Sequence, residues 1–170
     1  MPPEININDV YQTFAMTSNK QNQYRIRKML ETDIKTVVKI EQVTWLDESW
    51  SSQQVFDCLN HPHWQCWTLE STNNDNLILG YCFQYIYKHI SHIANLCIDP
   101  NQRGHGLGET LLRYMIDYSC LFGASVIKLK VNTSNIPAYR LYDKYGFRIV
   151  QFLPQYYSKH ADAYQMILRL

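Results

Sequence analysis

Apolar positions recur along this chain with two different periods, and the switches between them mark out the elements. Residues 1–22 follow neither period. They are rich in Asn, Gln, Thr and Ser and are read as a flexible N-terminal arm, with Val10, Tyr11 and Phe14 free to pack locally. A single domain is expected over 23–170. Tyr24 to Met29 predicts a strand. Thr32-Asp33 is an N-cap pair for a helix through Ile34, Val37 and Val38 to about Trp45, and Ser51 or Ser52 caps a second helix carrying Val55, Phe56 and Leu59.

Three strands follow: Trp64 to Glu70, Leu77 to Tyr87 and Ile90 to Ile98. The turn cluster 71–76 and the pair Lys88-His89 join them so briefly that an antiparallel meander is predicted. The run Glu109 to Phe122 then repeats Leu111, Leu112, Met115, Ile116, Ser119 and Cys120 at helical spacing, with Gly123 at its C-cap. Val126 to Val131 alternates strictly: Ile127, Leu129 and Val131 face one way, Lys128 and Lys130 the other. Ser134 or Asn135 caps a further helix with Pro137 just inside it and Gly146 at its end. Phe147 to Leu153 and Ala163 to Leu170 read as a closing pair of strands around a loop, 154–162. The order predicts an α+β fold with a mixed, mostly antiparallel sheet flanked by helices. The helical crossover from Ile98 to Val126 should make one parallel pair.

Composition narrows the function classes. The 170 residues suffice for one substantial core, and 46% hydrophobic with 18% charged residues describes a globular chain. The net charge of +1 and the scattered basic residues offer no nucleic-acid or membrane patch, and no apolar run is long enough to span a bilayer. The N-terminus lacks signal-peptide character. The five cysteines are an odd number without framework spacing, which suits a reduced, cytoplasmic protein. Cys58, His61, His63 and Cys66 carry zinc-ligand chemistry. Their one-residue gap His61-Pro62-His63 is unlike common zinc spacings, so a helix-to-strand loop is the preferred reading and no metal is expected.

The stretch with the most chemistry is Arg103-Gly104-His105-Gly106-Leu107-Gly108. It stands between an apolar strand and an amphipathic helix, where free backbone N–H groups and the positive helix end converge on an anion, most often phosphate. It contains neither Gly-Lys-Ser/Thr nor Gly-x-Gly-x-x-Gly. The hexapeptide resembles the Arg/Gln-x-x-Gly-x-Gly/Ala turn of GCN5-related N-acetyltransferases (GNAT). The resemblance extends over about 24–170 and is nearest to bacterial enzymes of the RimI type, which acetylate the N-terminal alanine of a ribosomal protein. It rests on Ile40-Glu41-Gln42, Ser49-Trp50-Ser51, 95–100, the glycine turn, 129–135, 141–147 and Gln155-Tyr156-Tyr157.

That resemblance implies acetyl transfer from acetyl-coenzyme A (acetyl-CoA) to a primary amine, foremost a protein N-terminus. A small amine or a lysine side chain is the second reading, and a cofactor-binding module without turnover the third. A monomer or a homodimer is compatible with it. Leu96, Cys97 and Ile98 would offer backbone groups to the pantetheine arm. Arg103, Gly104, His105, Gly106, Leu107 and Gly108 would hold the pyrophosphate, with His105 a variable position, and Asn135 would bond the cofactor. Tyr142 matches the general acid that protonates the leaving thiolate; a phenol near pKa ~10 can yield its proton to a thiolate near ~8.5. Tyr156 and Tyr157 match a pair that covers the acceptor N-terminus. Relatives carry a glutamate base where this chain has Lys130. Glu41, His92 or a water chain could take its place, Lys130 could act with a depressed pKa, or the amine could arrive already deprotonated.

Overall fold

In the computed structural model, residues 24–73 and 77–170 are described; the arm at 1–22 and residues 74–76 of the turn cluster lie outside them. The chain runs β1 (Tyr24–Lys28), α1 (Ile34–Trp45), α2 (Ser52–Leu59), β2 (Trp64–Ser71), β3 (Ile78–Tyr87), β4 (Ile90–Ile98), α3 (Leu107–Leu121), β5 (Val126–Asn132), α4 (Ile136–Lys144), β6 (Arg148–Ser158) and β7 (Ala161–Arg169). One seven-stranded sheet has the order β1-β2-β3-β4-β5-β7-β6. Among the described residues only β4 and β5 pair in parallel, because α3 carries the chain back between them.

The side-chain period of two sorts the sheet into two cores. Cys66, Tyr81, Phe83 and Cys97 face α1 and α2 together with Val37, Ile40 and Val55. Ile93, Ile127, Leu129 and Val131 face α3 with Leu111, Leu112 and Met115. The alternation expected of β5 is observed: Ile127, Leu129 and Val131 are buried, Lys128 and Lys130 are not. Ser51 caps α2 by accepting from the Gln54 N–H, and the Gln54 side chain returns a bond to the Ser51 N–H at 2.8 Å. Asn135, rather than Ser134, caps α4.

Two boundaries depart from the sequence reading. The helix expected from Glu109 begins at Leu107, because Gly106 adopts φ 75° and serves as its N-cap, so the turn feeds directly into the helix. The expected loop 154–162 is mostly strand. β6 and β7 form a long hairpin in which 154–157 bulge out of register, since Leu153 pairs with Ala163 and Ser158 next with Ala161. Pro154 had suggested a loop, but β6 is the sheet edge, where a missing N–H costs no ladder bond. Gln155, at φ 52°, donates its N–H to Asp162 Oδ1 at 2.8 Å to hold the bulge.

Candidate active site

β4 carries its own irregularity. Opposite β3, Gln84 pairs with Ile93 and Phe83 with Asn95, so Ala94 is an extra residue. It reverses the side-chain parity beyond it: Asn95 and Cys97 turn toward α1, Leu96 and Ile98 toward α3. On its other side β4 pairs with β5 only from Ile90–Val126 to Ile93–Leu129. Past that point the strands diverge, and the β5-facing edge of residues 94–98 has no strand beside it.

The divergence opens a cleft of about 650 Å³. Its wall includes Ile93, Leu129, Val131, Ala138 and Tyr142 from the α3 side of the sheet, and Glu41, Trp50, Trp64, His92 and Asn95 from the α1 side, so it reaches both faces. Leu96, Lys130, Asn132, Asn135, Tyr156 and Tyr157 also line it. Sequence reasoning had named seven of these residues for the site, Glu41, Leu96, Lys130, Asn135, Tyr142, Tyr156 and Tyr157, and had raised His92 as an alternative base. It had not named Trp45, Trp50, Trp64, Asn95 or Asn132. Trp50 lay in a quoted motif, but its stack on Phe83, with ring centroids 4.9 Å apart, depends on a partner 33 positions away.

Tyr142 reaches the cleft from α4, which Asn135 starts by accepting the Ala138 N–H through Oδ1 at 3.2 Å. Tyr142 is 7% exposed, and burial first, then Tyr157 and Cys97, raises its pKa. Tyr157 is pushed up to about 12, by burial and then by Tyr156 and Glu48. Glu41 is 0% exposed. Its Oε1 accepts from the Tyr81 hydroxyl and Asn95 Nδ2, and its Oε2 accepts the Trp50 N–H at 3.0 Å. Burial outweighs these three donors and raises the carboxyl pKa. Lys130 Nζ donates to the Tyr156 hydroxyl at 2.8 Å and lies 4.3 Å from the ring centroid. The pKa of His92 is lowered by burial, then by Lys130 and Lys128. Trp45 also lines the cleft, and its indole N–H has no hydrogen-bond partner among the described residues.

The glycine turn stands apart from this wall, at the end of β4. Gly104 and Gly106 are at φ 84° and 75°, a region closed to most side chains, and a Cβ on either would meet nothing within 4 Å. Glycine is therefore required there by backbone conformation rather than by packing. The Arg103 side chain folds back as a brace, Nε donating to Ile98 O at 3.2 Å and Nη2 to Thr44 Oγ1 at 3.5 Å. The groups left to meet an anion are the backbone amides of the turn and the first turn of α3, whose N–H groups have no intrahelical acceptor. His105 is exposed. Gly80, missed from sequence, lets β3 close against the end of β4: a Cβ there would come within 2.7 Å of Cys97 O and 2.6 Å of Ile98 Cδ1.

A parted pair of strands thus stands beside a left-handed glycine turn, and comparison with known proteins decides the family. The model of the acetyltransferase (GNAT) family matches residues 28–147. The chain belongs to that family. This GNAT protein is 30% identical over 132 residues to the [ribosomal protein bS18]-alanine N-acetyltransferase of Haemophilus ducreyi, a match spanning 78% of this chain and 88% of the relative. The crystal structure of the ribosomal-protein-S18-alanine N-acetyltransferase from Escherichia coli superposes with a TM-score of 0.77 at 25% identity, covering 86% of this chain and 93% of that one. Arabidopsis thaliana NAA60 in complex with acetyl-CoA shares the fold, with a TM-score of 0.76 at 18% identity over 86% of this chain and 98% of its own.

The histidine–cysteine cluster takes the form of a turn between α2 and β2. His61 and His63 have ring centroids 5.9 and 5.8 Å from that of Tyr85, while Cys58 and Cys66 are buried, which pushes their thiols up to about 11 and about 12. Among the described residues, no three or more His, Cys, Asp or Glu side chains are grouped to hold a metal. No helix there is long and apolar enough to cross a membrane.

Proposed function

We propose that this GNAT protein transfers acetyl from acetyl-CoA to a protein N-terminal α-amino group by direct attack in a ternary complex, in the cytoplasm. The observation that carries this reading is the parting of β4 from β5 beyond Ile93, with Tyr142 on its wall. Edge groups of residues 94–97, short of the Ile98 carbonyl that Arg103 braces, are available to an extended amide-bearing arm. The left-handed turn 103–108 lies at the end of the same strand, ready for the pyrophosphate. Asn135 spends Oδ1 on its helix cap and keeps its amide N–H₂ for the cofactor. The acceptor enters from the α1 side, where Trp50, Trp64, Tyr156 and Tyr157 enclose it.

In the chemical step the amine nitrogen attacks the thioester carbon, the C–S bond breaks, the departing sulfur takes the Tyr142 hydroxyl proton, and the second amine proton, lost as the amide forms, returns to the Tyr142 oxygen through solvent. A raised phenol pKa keeps Tyr142 protonated at neutral pH, so the hydroxyl is present to donate as charge develops on the sulfur. The ammonium must shed its own proton first. Lys130 acts as a donor toward Tyr156 and is assigned no base role. The proton goes either to Glu41, whose raised pKa brings it nearer the useful range and whose Oε2 accepts only the Trp50 N–H, or to solvent. Holding both reactants in one cleft supplies much of the acceleration, so no covalent enzyme intermediate is required.

Four free cysteines are buried and one, Cys120, is exposed, which fits a reducing compartment. Incubation with acetyl-CoA and alanine-initiated peptides, read by thiol release and peptide mass, tests the proposal. Acetylation confined to lysine side chains, or to small amines, would overturn the acceptor assignment.

A further inference from the structure

The two faces of the sheet are covered unevenly. α1 and α2 pack over β2, β3 and β4. On the same face, β5 and β7 present Lys128, Lys130, Gln165 and Ile167, none of them buried. The strand registers align Trp64, Tyr85, His92 and Lys128 in one row across four strands, and Lys130 follows two positions along β5. Burial, Lys130 and Lys128 together depress the pKa of His92, so the three basic groups share one electrostatic neighbourhood.

The carboxylates facing this neighbourhood stand across the cleft. Glu41 is occupied by three donors, and Glu48, from the α1–α2 connection, is exposed. Neither Lys128 nor Lys130 forms an ion pair with a carboxylate among the described residues. The acceptor mouth is therefore polarised, with carboxylates on its α1 side, Lys130 on its β5 wall and Lys128 just beyond, next to His92. Like charges brought together there are disfavoured, and an anion is drawn in.

We infer that Lys130 and Lys128 select acceptors carrying a carboxylate close behind the reactive amine, namely N-termini followed within a few positions by Asp or Glu. The inference rests on the N-terminal acetyltransferase reading. Lys128 and Lys130 are two residues apart on a strand, about 7 Å, which is also the spacing of alternate side chains in an extended peptide. Two acidic side chains on one face of the acceptor can thus each meet one ammonium. The cation held against the Tyr156 ring lies where the first of them passes.

The test uses the full chain with acetyl-CoA and three peptides that differ only at positions 2 to 4, carrying Glu, Gln or Lys. Rates are measured alongside the affinity of each peptide for the CoA-loaded protein. The expected result is a kcat/KM for the Glu peptide about tenfold above the Gln peptide and higher still above the Lys peptide, narrowing with salt. Lys130→Gln should flatten the preference, and Lys130→Glu or Lys128→Glu should invert it; a thermal melt establishes that each variant is folded. Equal rates for the three peptides, or substitutions that change all three alike, would overturn the inference. So would free glutamate outpacing the acidic peptide, which would assign the lysines to a small carboxylated amine. Loss of turnover with every peptide, with the affinity order intact and dependent on Lys130, would count against acetyl transfer and leave the selection standing.

Discussion

At the scale of single residues, the site is a set of ionisable groups displaced from their ordinary ranges by burial and by one another. Tyr142→Phe removes the hydroxyl we propose as proton donor while keeping the ring that packs near Phe147, 5.7 Å between centroids. Its expected result is a fall in kcat of about 100-fold with unchanged CoA affinity, read by thiol release and calorimetry. Glu41 makes a prediction about stability. Its folded pKa lies above the unfolded one, so the native state binds the extra proton and stability declines as pH rises through the folded pKa. The melting temperature should therefore drop from the ordinary carboxylate range upward, and Glu41→Gln should lose that component of the slope. The activity profile of the same variant separates the two proton routes: a missing acidic limb assigns the base to Glu41, an unchanged one assigns it to solvent. For His92, removing a nearby cation raises the pKa; in Lys130→Ala its imidazole, followed by NMR, should titrate at higher pH than in the parent.

At the scale of elements, the glycines around β4 set the geometry. Gly80→Ala would drive a methyl to within 2.7 Å of a backbone carbonyl that cannot swing aside. A loss of about 1–3 kcal/mol is expected in chemical denaturation, with weaker CoA binding because the displaced strand carries the turn. The turn itself was legible in the sequence, as was the order of helices and strands, because Gly123, Gly146, Ser51 and Asn135 mark ends by local backbone chemistry. The alternation of β5 was legible for the same reason: each residue's face depends on its immediate neighbours. The parting of β4 and β5 was not. It follows from an extra residue at Ala94 and from pairings across the sheet, neither of which leaves a local mark. Pro154 misled for a related reason, since whether a strand is an edge depends on the whole sheet order. Asn95 escaped notice because the bulge alone turns it toward Glu41.

At the scale of the whole molecule, the sheet is two blocks, β1 to β4 and β5-β7-β6, joined by four residue pairs. A ligand lying between them bridges the blocks and stabilises their union. Saturation at 100 times Kd adds about 2.7 kcal/mol, worth roughly 5–10 °C in melting temperature for a chain of this size. Acetyl-CoA is expected to produce that shift in differential scanning fluorimetry. Arg103→Glu, which removes the brace on Ile98 and places a carboxylate beside the phosphates, should abolish it.

Because the wall of the gap draws on both faces of the sheet, each reactant can have a side of its own. The thioester can occupy one while the amine arrives by the other, so neither blocks the other's exit. Only the tip of an acceptor has to cross the threshold, and whatever bulk trails behind it stays outside. A terminus protruding from a large folded assembly is thus as accessible to this chain as a short peptide, provided it projects far enough to reach Tyr142.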